Sequence, residues 1–177
     1  MEMHRTGGLL LMVFLVIMMA LPGCNKADTD FTLDVDACAE TLRETIAFQD
    51  TLTAISDQMI AVIYPIDAQD VVKQKVYVSS GATAEEIAVF EAVDVAAAQR
   101  IETAVWQRVA DQKTSFQDYV PSELPKLADP FLSVNGKYVI LCISGHNEAV
   151  KTELNKLFNK QGEKLSRGDK GQPYHGL

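Results

Sequence analysis

The run Tyr138-Val139-Ile140-Leu141-Cys142-Ile143 has no polar side chain on either of the two faces a strand presents. Only a strand lying inside a sheet can bury both faces, so this segment predicts a central strand. Just before it, Asn135-Gly136 follows the apolar stretch Phe131–Val134. That dipeptide between apolar runs is a strong hairpin signal, because both central residues of a type I′ turn need positive φ. A second hairpin is read upstream. In Val72–Ser79, Val72, Val76 and Val78 face one way, and Lys73, Lys75 and Tyr77 the other. The turn Ser80–Thr83 leads into a strand at Glu86–Ala92, with Ile87, Val89 and Phe90 as core.

Helices fill the intervals. Asp34 or Asp36 caps a first helix with Val35, Cys38, Ala39, Leu42 and Ile46 at helical spacing. Ser56–Tyr64 reads as a short second helix stopped by Pro65. Asp94 caps the longest helix, Val95–Tyr119, with the stripe Ala98, Ile101, Val105, Val109, Gln112 and Phe116. Pro121 and Pro125 open a loop, and Asn147–Asn159 is a last helix. The expected fold is α+β: two layers, a four-stranded antiparallel sheet made of two hairpins, and helices packed on one face.

The front of the chain sets an expected address. Gly7–Ala20 is apolar and ends at Leu21-Pro22-Gly23-Cys24. A secretory signal has an apolar centre of ~7–15 residues, whereas a spanning helix needs about 20. The expected division is therefore a lipoprotein signal peptide over 1–23, acylation (palmitate) at Cys24, a tether over 24–32, one domain over 33–160 and a loose tail over 161–177. The chain left after cleavage, about 150 residues, is long enough to bury roughly 68–70% of its unfolded surface. The lipid on Cys24 would hold the domain to the cell membrane, facing outside the cytoplasm. A formal charge of −8 argues against nucleic acid, whose phosphates call for Lys and Arg.

Candidate site residues are few. Glu85-Glu86, after Thr83-Ala84, could hold a cation or act as acid and base. Neighbouring strand positions point to opposite faces, however. The plainer reading keeps a strand start soluble, with Lys73 or Lys75 as cross-strand partners. Trp106 and Tyr119 are candidates for a partner or ligand surface, or else cover a core edge. Asp28, Asp30, Asp34 and Asp36 lack the turn glycine of a calcium loop. His4, His146 and His175 are scattered, and zinc needs clustered ligands, so neither a metal nor any other cofactor is expected. Cys38 and Cys142 read as buried free thiols, with a disulfide as the alternative. There is no nucleophile elbow, P-loop or dinucleotide fingerprint.

The stretch Val76-Tyr77-Val78-Ser79-Ser80-Gly81-Ala82-Thr83-Ala84-Glu85-Glu86-Ile87-Ala88-Val89-Phe90 is similar to the signature of the bacterial lipoproteins grouped as domain of unknown function 4358. The likeness continues through the long helix, Ser115-Phe116-Gln117-Asp118-Tyr119-Val120-Pro121 and Asn135-Gly136-Lys137-Tyr138-Val139. It covers roughly Val35 to Phe158. The resemblance implies a compartment and a domain but no reaction, and it brings no catalytic or ligand residues. The function expected is a non-catalytic binding or adaptor module at the cell envelope. The alternatives are an envelope hydrolase using Glu85 or Glu86, and a small-ligand-binding lipoprotein.

Overall fold

The computed structural model describes residues 32–168, with side chains as far as residue 159. The expected signal peptide, Cys24, nearly all of the tether, His4, His175, Asp28, Asp30 and residues 169–177 lie outside the described residues. In chain order the elements are α1 (Val35–Thr45), β1 (Thr53–Ala54), α2 (Asp57–Ile63), β2 (Val71–Val78), β3 (Glu86–Ala92), α3 (Val95–Tyr119), α4 (Leu124–Ala128), β4 (Phe131–Asn135), β5 (Tyr138–Ile143) and α5 (Asn147–Gly168). The sheet is antiparallel throughout, in the order β1-β2-β3-β5-β4.

The caps fall where the side-chain chemistry places them. Asp34, not Asp36, starts α1 by accepting from the Asp36 and Ala37 amides. The Ser56 hydroxyl accepts from the Met59 amide, and Asp94 accepts from the Ala97 amide at 2.7 Å. Each satisfies a first-turn donor that the helix itself leaves unpaired.

Every residue of β5 is buried, as are all but one of β3, and the two strands pair at the middle of the sheet. Alternation along them feeds two separate cores. Ala88, Phe90, Ala92, Val139, Leu141 and Ile143 pack with Ile60 of α2, Tyr64 just after it, Ile101, Val105 and Val109 of α3, and Leu127 of α4. Ile87, Val89, Tyr138, Ile140 and Cys142 pack with Val35, Cys38 and Leu42 of α1 and with Val150 and Leu154 of α5. Helices therefore cover both faces, in three layers. This corrects the expected two-layer arrangement with helices on one face. Strands apolar on both sides need cover on both sides.

Other boundaries also shift. A fifth strand joins the expected four, because Thr53 and Ala54 pair with Val78 and Tyr77; two residues are too few for any alternation to show. Val72, expected on the core face of β2, is 58% exposed. The register shifts between Val71 and Lys73, and Val71 takes the inward place. The Pro121–Pro125 stretch is a 3-10 turn at Pro121–Glu123 followed by α4, rather than a loop. The last helix, expected to end at Asn159, runs on to Gly168. Cys38 and Cys142 are free and buried in the second core. Among the described residues no helix is long and apolar enough to cross a membrane.

The β4–β5 turn is also corrected. β4 runs through Asn135, which pairs with Tyr138, so Gly136 and Lys137 form the loop. Of these two loop residues only Gly136 has positive φ, at 57°, the pattern of a turn with glycine first rather than type I′. A Cβ there meets no neighbour within 4 Å, so the cost of substitution is conformational. Gly136→Ala is expected to lower unfolding free energy by about 1–2 kcal/mol, measured by urea titration.

Candidate functional site

The start of β3 holds the densest buried polar cluster. Glu85 and Glu86 are 2% and 1% exposed and, as neighbours, diverge. Glu86 points toward α3. Its carboxylate accepts from the Tyr64 hydroxyl, from Arg108 Nη2 at 2.7 Å and from Gln112 Nε2 at 2.5 Å. Arg108 and Gln112 stand one helical turn apart and so converge on one acceptor.

Glu85 turns the other way. It accepts from the Gln49 and Asp50 amides at 2.9 and 3.0 Å, from the Thr83 hydroxyl at 3.2 Å and from Lys126 Nζ at 3.2 Å. The Lys126 ammonium also donates to Glu123 and to Gln49 Oε1, each at 2.9 Å. Glu123 in turn accepts from the Ala84 amide at 2.9 Å. Lys126 thereby links α4, which buries Leu127 in the first core, to the loop after α1, whose Ile46 and Leu52 belong to the second.

These partners correct the sequence reading. The two glutamates are not a solvated strand start, and they do not meet Lys73 or Lys75. Lys73 pairs with Asp36 at 2.8 Å, and Lys75 lies 5.3 Å from the Tyr77 ring centre. Arg108 and Lys126 lie 22 and 41 residues along the chain from their glutamates. The one signal that could have found part of the network was Gln112, a polar residue set in the apolar stripe of α3. Nothing local pointed to Glu123 or Lys126.

Trp106 and Tyr119 do not join the cluster. They are 45% and 73% exposed, so Tyr119 does not cover a core edge against Pro121–Pro125. Their spacing along α3, at about 3.6 residues per turn, puts them on different sides of the helix. His146 sits at the start of α5, where its carbonyl accepts from the Ala149 and Val150 amides. Among the described residues no three His, Cys, Asp or Glu side chains are grouped to hold a metal.

Beside the Glu86 cluster lies an open cleft of about 230 Å³, bounded by Ile55, Met59 and Ile63 on one wall and Phe116 on the other. Arg108 and Gln112 line its base, and the turn Ser79–Gly81 its rim. Gln112 Oε1 is buried with no hydrogen-bond partner.

The family model described as "Domain of unknown function (DUF4358)" matches residues 44–144. The chain belongs to this family. The DUF4358 match runs from the last turn of α1 to just past β5, so it takes in the whole sheet, both glutamates and the cations that hold them. No curated protein and no solved structure matches the chain.

Two predictions follow from the geometry of this DUF4358 domain. Truncating one member of a buried ion pair leaves the other charge uncompensated, so Arg108→Met is expected to cost about 3–5 kcal/mol. Adding Glu86→Gln should recover part of that loss, read from denaturant midpoints. The second concerns alkaline pH. Burial pushes the Cys38 and Cys142 thiols from an ordinary 9.0 up to about 12. Burial, with the Glu86 charge beside it, also raises the Tyr64 phenol well above its usual value. Between pH 9 and 12 the unfolded chain loses protons that the folded chain keeps. The stability these groups contribute is thus full below pH 9 and declines as pH rises through that window. A chain with Cys38→Ala and Cys142→Ala should show a shallower decline in unfolding free energy over the same range.

Proposed function

We propose that this DUF4358 protein is a bacterial lipoprotein whose domain works outside the cytoplasm as a non-catalytic binding or adaptor module. In this reading the segment before Cys24 directs export, and Cys24 takes the lipid that holds the domain to the membrane. The domain then meets an envelope protein or ligand.

The binding half of the reading rests on the cleft between α2 and α3. Met59, 49% exposed, and Phe116 give it apolar walls, and Arg108 offsets the charge of Glu86 at its base. An apolar cleft with a charge-balanced base suits an uncharged side chain or small neutral group better than a charged substrate. A hydrolase using Glu85 or Glu86 is the weaker reading. Each carboxylate is already engaged by a cation and by further donors, and a general acid or base must be within reach of a substrate proton.

Two experiments bear on the two halves. Labelled palmitate fed to the native host should enter the parent chain and not a Cys24→Ser chain; equal labelling would remove Cys24 as the acceptor. A photoreactive residue at Met59 should give a discrete crosslinked product in living cells that the same residue at Lys151, on α5, does not. Equal products from both positions, or none from either, would count against a binding role for the cleft.

A further inference from the structure

The sheet ends in two different edges. On one side, β1 covers the Tyr77–Val78 end of β2, the register breaks between Val71 and Lys73, and Lys73 stands at the open remainder. A short covering strand, an irregularity and an edge lysine are the devices by which sheets discourage further pairing. The other edge, β4, is Phe131-Leu132-Ser133-Val134-Asn135, with no charged residue and no proline. Val134 is 40% exposed.

The hairpin determines which backbone groups of β4 face outward. Asn135 and Tyr138 close a two-residue turn, and a closing pair is hydrogen-bonded. Bonded and non-bonded pairs alternate along an antiparallel ladder. Ser133 and Phe131 therefore bond inward to β5, whereas the N–H and C=O groups of Leu132 and Val134 point away from it. Outside the ladder, no hydrogen bond to those four groups is present among the described residues.

We propose that β4 is a pairing edge for a second copy of this chain, joined antiparallel about a two-fold axis at Ser133, so that two five-stranded sheets become one. In that register the outward groups of Leu132 meet those of Val134 of the second copy, and the reverse, which is the match the hydrogen bonds require. No like charges are opposed. Asp129, before the strand, and Lys137, after it, are equidistant from Ser133 in sequence. The same axis thus brings Asp129 of one copy toward Lys137 of the other, whose ammonium also meets Glu91 of its own chain at 2.7 Å. The identical operation on β2 about Gln74 would set Lys73 against Lys75, an unfavourable cross-strand pair. The charge pattern thus selects β4 and a self-partner. A ladder this short makes a weak, reversible contact, well below the area of a stable dimer.

Covalent trapping in the full chain suits such a contact. Opposed non-bonded residues have Cα atoms about 4.5 Å apart, within the ~4.4–6.8 Å a disulfide spans. Under mild oxidation, Ser133→Cys should give a covalent dimer on a non-reducing gel, in excess over both the parent chain and Gln74→Cys. Adding Val134→Lys, which puts two charges into the ladder, should cut that yield about tenfold, with the thermal midpoint unchanged. A Ser133→Cys yield no greater than that of the parent or of Gln74→Cys would overturn the proposal. So would a yield that Val134→Lys leaves intact.

Discussion

Burial of β3 and β5 on both faces is the constraint on which the rest of the structure depends. Two adjacent strands with almost no solvent-facing residue commit the chain to helices above and below the sheet. α3 supplies most of one cover, and α1 with α5 the other. The flanking strands need less. β2 is fully buried only at Val76 and Tyr77, and β4 is only partly buried. The apolar load therefore falls from the centre of the sheet toward its edges, as it does in open sheets with covered faces.

Placing charge at the buried start of β3 sets a second requirement. A carboxylate taken out of water is tolerated only when paired and hydrogen-bonded. Glu85 and Glu86 meet that condition in opposite directions, one through Lys126 and the loop after α1, the other through Arg108, Gln112 and Tyr64. The two glutamates thus tie both helical layers to one point of the sheet. An ion pair of this kind adds less net stability than its geometry suggests, because desolvation offsets much of the attraction. Its consequence is specificity of arrangement: a misplaced α3 or α4 would strand a buried charge. The β2–β3 turn joins the network through Asp50, which accepts from the Ser80 amide at 2.9 Å while its own amide donates to Glu85.

Much of the fold was legible in residue order. The bounds of α3 and β3, the Asp94 cap, and the central place of Tyr138–Ile143 rest on period, capping chemistry and the absence of polar side chains. These are signals carried within a few residues. Four of the failures share one cause. The second helical layer, the two-residue β1, the helix hidden between Pro121 and β4, and the outward turn of Val72 all depend on which distant segment lies alongside.

The candidate site divides along the same line. The sequence by itself marked Glu85 and Glu86, since adjacent carboxylates at a strand start stand out against apolar neighbours, and it showed Gln112 within an apolar stripe. Tertiary structure alone decided that the glutamates are buried, that Arg108 and Lys126 hold them, and that Trp106 and Tyr119 stand apart. Local pattern specifies backbone conformation because its interactions span one turn or one strand pair. The partner of a buried charge is chosen by packing, which brings together residues the chain keeps far apart.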